Sequence, residues 1–223
     1  MDNYELIAFY LKDAGEVSAH AHALRNKLNL EVRFEKLPKK VEKIREMATR
    51  NSLLAVFSRD AMSYRRVLKY AYHFPNPVLL VSEADSLFSY AHLKLPIGFL
   101  KENKEKVVWA NFIQRRNNFI SLELIVPTEA NNDYAYMVES NAIFIENILD
   151  GSDAQYRKTI FPGGFNSLLT HLFKNTAEGV LLIMRPYRFF SWWIPTYLKL
   201  YEKFGKTQIM LVPHDEELYI PCH

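Results

Sequence analysis

Glycine is scarce in this chain, with seven among 223 residues, and none stands in a loop pattern that could cradle a polyphosphate. Cysteine is scarcer still. The single Cys222 excludes an intramolecular disulfide and favours a reducing compartment. No apolar run approaches the roughly 18 residues of a membrane helix, and the densest aromatic patch, Tyr187 to Trp193, is too short to span a bilayer. The opening MDNYELIAFYLKDAGEVS has no basic leader before its apolar run, so a secretory signal is not expected, no membrane association is expected, and the cytoplasm is the expected location. A net charge of +3 lacks the clustered Lys and Arg of a nucleic-acid face, which excludes that partner class.

Catalytic and metal-binding patterns are missing too. Ser167 and Ser191 lack the flanking glycines of a nucleophile elbow. His20 and His22 are two apart and point to different faces of a helix, whereas helical metal pairs are four apart. Cys222 and His223 would need two more ligands that the sequence does not place. Gly205-Lys206-Thr207 lacks the upstream glycine of a P-loop and reads as a helix end. The expectation is a protein that is not an enzyme and carries no cofactor and no metal.

What is present is a repeated alternation of strand-like and helix-like runs. In the second half, Leu95–Leu100, Phe119–Val126, Gln155–Phe161, Val180–Met184 and Gln208–Val212 read as strands. Between them, helices are expected over Lys101–Asn118, from an N-cap at Thr128 to Asp150, over Asn166–Ala177 and over Trp192–Phe204. In the Thr128 helix, Tyr134, Met137, Asn141, Ile145 and Ile148 recur at three- and four-residue spacing and predict the buried face, with Asn141 its odd member.

The first half repeats the plan in shortened form. Strands are expected at Tyr4–Leu11, Leu30–Lys36, Leu53–Ser58 and Val78–Ser82, and helices at Ala14–Leu28, Lys39–Asn51 and Ala61–Phe74. The fold class is therefore α/β: two doubly wound, Rossmann-like parallel-sheet units in tandem, the first one shortened. The boundaries are 1–82 for the first unit, 83–94 for a packed linker and 95–223 for the second.

The run LPIGFL, then KENKEKVVWANFIQRR, then ISLELIVP, a long helix with VESNAIFIENIL, and YRKTIFPGG resembles a universal stress protein domain. The whole chain resembles a bacterial tandem universal stress protein, closely over 95–213 and more weakly over 1–82. The resemblance implies a stress-response role and an intramolecular pseudo-dimer joined through the last strands PVLLVS and IMLVP, with Val78, Leu80, Met210 and Val212 as interface candidates. It also implies that ATP-binding members place an Asp after the first strand and a Gly-x-x-Gly segment after the fourth.

This chain departs from that pattern twice. Gly98 stands at the Asp position of the second half, and Arg185-Pro-Tyr-Arg-Phe-Phe-Ser-Trp-Trp follows its fourth strand without a glycine. In the first half Ser58-Arg-Asp-Ala-Met-Ser-Tyr stands there, and Asp13 reads as a turn residue or a shifted relic of the nucleotide aspartate. Main-chain amides approach phosphate only where side chains are small, so both crevices belong with the non-ATP-binding branch.

The leading expectation is thus a non-enzymatic cytoplasmic stress-response protein that acts by associating with an unknown protein partner or by sensing an unknown ligand, with a homodimer among its assemblies. The alternative is a nucleotide- or anion-binding module. In it Arg185 and Arg188, with Arg59 at the equivalent place in the first half, receive the anion beside Gly98 and the Gly163-Gly164 turn. The competing readings are that the arginines pair with nearby acids and that the glycines only turn the chain. A hydrolase of the wider nucleotide-binding α/β class is a third reading, and it lacks its glycines and metal carboxylates. The aromatic stretch with Trp192 and Trp193 either fills the second crevice or anchors a protein contact.

Overall fold

The computed structural model describes residues 4–98, 103–117, 119–128, 132–175, 179–185, 196–205 and 207–214. Nine strands form one sheet: β1 (Glu5–Tyr10), β2 (Glu31–Lys36), β3 (Ser52–Ser58), β4 (Val78–Val81), β5 (His92–Pro96), β6 (Ser121–Pro127), β7 (Tyr156–Phe161), β8 (Val180–Met184) and β9 (Gln208–Val212). Seven α-helices accompany them among the described residues: α1 (Gly15–Leu28), α2 (Lys43–Met47), α3 (Tyr64–His73), α4 (Asn103–Arg116), α5 (Asn132–Asp150), α6 (Phe165–Lys174) and α7 (Thr196–Phe204).

The strand order is β2-β1-β3-β4-β9-β8-β5-β6-β7. Every neighbouring pair is parallel except β4 and β9, which meet antiparallel with Val78 opposite Leu211, Leu79 opposite Met210 and Leu80 opposite Ile209. Four strands therefore run one way and five the other.

Alternation at the strand period divides the core into two layers. Leu6, Ala8, Leu54, Val56, Leu79 and Met210 face a layer that contains α1, α4 and α5. Ile7, Phe9, Ala55, Phe57, Leu80 and Leu211 face the layer of α2, α3, α6 and α7. Both faces of the central strands are covered, which is why SLLAVFS and VLLV read as unbroken apolar runs. No described helix is long and apolar enough to cross a membrane.

Several boundaries differ from the periodicity reading. Strand β5 starts at His92, because Leu93, Leu95 and Ile97 alternate into the α1/α4/α5 layer. The expected strand at Leu95–Leu100 is thus displaced toward the N-terminus, and Phe99 and Leu100 lie outside the described residues. Helix α2 covers only Lys43–Met47 of the expected Lys39–Asn51. Local side-chain bonds compete with the helix there: Thr49 N donates to Ser52 Oγ at 2.8 Å and Asn51 N to Thr49 Oγ1 at 3.2 Å.

Between Thr128, the expected N-cap, and Asn132, where α5 is first described, lie residues outside the described ones, and the bonds of the Thr128 hydroxyl lead to the end of β7 and the turn after it. The hydroxyl donates to Phe161 O at 3.3 Å and accepts from Gly163 N at 2.9 Å, tying the exits of β6 and β7 together. The buried face of α5 is Val138, Ala142, Ile145 and Leu149, rotated from the expected one, while Tyr134 and Met137 remain largely exposed. Asn141 is the exception that the sequence marked: its Nδ2 donates to Gly98 O at 2.9 Å and holds the chain leaving β5.

Candidate functional site

In a parallel α/β sheet, ligands enter at the strands' carboxyl ends, where neighbouring crossovers diverge. This sheet has two such places, between β1 and β3 and between β5 and β8.

At the first, the chain leaves β1 through Leu11, Lys12 and Asp13 and enters α1 two residues later. Three amides converge in that turn, and they already have an anion. The Glu16 carboxylate accepts from Leu11 N at 2.9 Å, Lys12 N at 2.9 Å and Asp13 N at 3.2 Å. Partial burial pushes the carboxyl's pKa up, but the three amides more than offset it and hold the group below its ordinary value. Asp13 is a turn residue here: its Oδ1 accepts from Gly15 N at 2.6 Å and adds a negative charge beside the turn.

At the second crevice an aromatic ring lies against the chain leaving β5. A Cβ built on Gly98 would lie 3.3 Å from the Phe165 ring, so the space at the exit of β5 belongs to that ring. Beneath it Lys106 is buried and its Nζ donates to Pro96 O at 2.6 Å. In the turn after β7 one amide is already taken, since Gly163 N is bonded to Thr128, and Gly164 is the N-cap residue of α6 in extended conformation.

Arg185 points into the protein. Its Nη1 donates to Ala71 O at 2.8 Å and Phe74 O at 2.5 Å, and its guanidinium lies 5.7 Å from the Tyr72 ring centroid. It thus caps the carbonyl end of α3 from the other half of the chain. Burial pulls its pKa down to about 10. Arg188, Trp192 and Trp193 lie outside the described residues, as does Cys222. Val78, Leu80, Met210 and Val212 are all buried, the first three within the β4/β9 pairing and Val212 opposite Met184 of β8.

Arg59 leads to the feature that motif reading missed. Its Nη2 meets Asp85 Oδ1 at 2.9 Å, while Nη1 donates to Tyr201 Oη at 2.9 Å and Gly205 O at 2.8 Å. The other oxygen of Asp85 accepts from Ser82 N at 2.8 Å. His20 on α1 joins the same cluster, with Nε2 at 2.9 Å from Ser82 O and Nδ1 at 2.5 Å from Tyr90 Oη. A carbonyl oxygen can only accept, so Nε2 carries the hydrogen and Nδ1 accepts from the tyrosine. Gln208 Nε2 adds a bond to the same segment by donating to Ser86 O at 3.1 Å.

This hub straddles the β4/β9 seam. It fastens α1, the end of β3, the 82–90 segment and α7 to one another. No sequence motif announces it, because its members come from five separate stretches. The sequence signal available was chemical: charged and polar residues at the ends of fully apolar strands need partners. Among the described residues no group of His, Cys, Asp and Glu could hold a metal ion.

Gly205 is part of the same construction. A Cβ there would lie 2.4 Å from Tyr201 O and 2.6 Å from the tyrosine ring. Gly205→Ala is therefore expected to destabilise the protein by about 1–3 kcal/mol, the range for forced overpacking, read as a lower urea midpoint.

No protein-family model matches the chain, and no curated protein matches its sequence. Solved structures do. A functionally unknown protein of Pseudomonas aeruginosa PAO1 is similar at 12% identity and TM-score 0.54, covering 96% of this chain and 83% of its own. A protein of Pseudomonas aeruginosa UCBPP-PA14, named in the universal stress protein family, gives 12% identity, TM-score 0.55 and coverage of 95% and 82%. A universal stress protein from Archaeoglobus fulgidus DSM 4304 gives 9% identity, TM-score 0.59 and coverage of 96% and 87%. At these identities the likeness is one of fold: this chain has the mostly parallel α/β sheet architecture of universal stress proteins.

Proposed function

We propose that this is a universal stress protein-like stress-response protein of the cytoplasm, built from two such units in tandem with the first shortened, and acting through protein association without catalysis and without a bound nucleotide. The observation that carries this reading is Glu16. A nucleotide phosphate entering the first crevice would have to displace a carboxylate that already takes three amides at 2.9–3.2 Å. The antiparallel β4/β9 pairing and the four-plus-five strand order support two units placed back to back. The Phe165 ring against Gly98 supports the same conclusion for the second crevice.

Thermal denaturation with ATP, AMP, cyclic nucleotides and inorganic phosphate tests it. A ligand at about 100 times its dissociation constant stabilises the folded state by roughly 2.7 kcal/mol, a shift of several degrees. No such shift is expected at millimolar ligand. A several-degree rise with ATP or AMP, or nucleotide retained through purification, would refute the reading.

A further inference from the structure

The two ends of the sheet complement each other. Strands β2 and β7 are the terminal strands, each with one neighbour among the described residues. On the α2/α6 face, Lys94, Glu123 and Arg157 stand in register across β5, β6 and β7. Their charges alternate, with Arg157 to Glu123 at 2.8 Å and Lys94 to Glu123 at 4.0 Å. The row ends on Arg157, whose side chain is 76% exposed at the sheet's edge. At the other end, also on this face, Glu5, Arg33 and Glu35 form a second alternating group, with contacts of 3.1 Å and 2.7 Å, that ends on an acid.

The opposite face matches as well. Lys158 reaches Glu146 and Tyr156 reaches Asp150, so α5 runs beside this face of β7. Ile160 has the same parity as these two residues. It is 55% exposed, and Ile143 on α5 is 51% exposed. On β2 the corresponding apolar residues are Val32 and Phe34, packed only in part against the α1 layer.

We infer that the chain assembles head to tail, β7 of one copy adding antiparallel to β2 of the next in one continuous sheet. The antiparallel sense follows from topology, since β2 and β7 run in opposite directions within one molecule. Face matching then requires registers that differ by two residues. Pairing Val32 with Ile160 sets Glu35 opposite Arg157 and Arg33 opposite Thr159, whereas a shift one way sets Arg33 against Arg157 and a shift the other way sets Lys36 against Lys158. Like charges directly opposite are destabilising, so the Val32–Ile160 register is selected. A symmetric β7–β7 contact would instead bring two basic edges together. Because the two surfaces differ, the assembly is heterologous and extends beyond a dimer.

Sedimentation velocity from micromolar to millimolar protein tests this. The wild type should show a mass that grows with concentration past the dimer. Ile160→Lys and Glu35→Arg, each checked for an unchanged circular dichroism spectrum, should each weaken association at least ten-fold, a change of about 1.4 kcal/mol. Mixed in equal amounts, they should form a dimer that goes no further, because one wild-type contact survives between them. Arg157→Glu should weaken association and Arg157→Glu with Glu35→Arg should restore it. A wild type that stays monomeric at millimolar concentration, or stops at a dimer, overturns the proposal, as does an Ile160→Lys protein that associates as tightly as the wild type.

Discussion

Arg59→Met is expected to lower stability by about 3–5 kcal/mol, since it leaves the Asp85 carboxylate buried without its cation. The Asp85 side chain is 4% exposed and that of Arg59 16%, so water cannot substitute for the lost guanidinium. The same change removes the donors to Tyr201 Oη and Gly205 O, which tie α7 to the end of β3. Asp85→Asn should be milder, at about 1–3 kcal/mol, because the amide keeps an acceptor for Ser82 N and loses mainly the charge. The double variant should be less unstable than the sum of the two singles, since removing both charges leaves neither stranded. Burial already pushes the Asp85 pKa above its ordinary value even against Arg59 and the Ser82 amide. Without Arg59 that rise should grow, so acid should partly rescue Arg59→Met by neutralising the carboxylate. Urea unfolding of the four proteins measures all of this. A loss below 1 kcal/mol for Arg59→Met would show that the hub does not bind the halves together.

The sheet was legible because the central parallel strands LLAVF and VLLV, covered on both faces, are apolar throughout, and because SLELIV alternates at the strand period. Boundaries were less legible where local chemistry overrides period. Thr49, Asn51 and Ser52 cut α2 short by bonding their own backbone, and Leu93 draws β5 back into a segment that looks like linker. The face of α5 was misjudged because Tyr134 and Met137 are apolar yet outward, while the small Ala142 is inward. Composition alone cannot distinguish a core position from an exposed aromatic.

The absence of phosphate glycines was plain in the sequence, but the occupant of the first crevice was not. Glu16 looks like an ordinary acid in the first turn of a helix, and only the bend after β1 turns it into the acceptor for three amides. Likewise Arg185 reads as an anion receiver at a strand's mouth. Its role in capping α3 depends on β8 lying near a helix more than a hundred residues earlier, a proximity that the β4/β9 pairing creates.

His20 should make the folded state acid-sensitive as pH falls below the ordinary imidazole value of about 6.5, and this effect is separable from general acid denaturation. The ring is 3% exposed, with its Nε2 hydrogen on Ser82 O and Nδ1 accepting from Tyr90. Burial is the largest influence and lowers its pKa below the ordinary value. The Ser82 carbonyl, Asp85 and Asp60 pull upward without restoring it, and Arg59 adds to the fall. The unfolded chain therefore binds a proton at higher pH than the folded one. Stability is complete above the unfolded value of about 6.5 and declines as pH falls toward the lower folded value, at no more than roughly 1.4 kcal/mol per pH unit for one proton.

Asp85 acts in the opposite sense, because its raised pKa makes the folded state bind a proton more readily below that value. Its contribution enters at lower pH and limits the decline instead of starting it. His20→Gln offers a donor to Ser82 O and an acceptor to Tyr90 but has no proton to gain in this range. Its stability should be flat from pH 7.5 to 5.5, where the wild type's falls. Equal slopes for the two proteins in urea titrations across that window would remove His20 as the cause. If the slopes differ as expected, hydrogen exchange at pH 5.5 should show the 82–90 segment opening first in the wild type, since both partners of the imidazole lie in it.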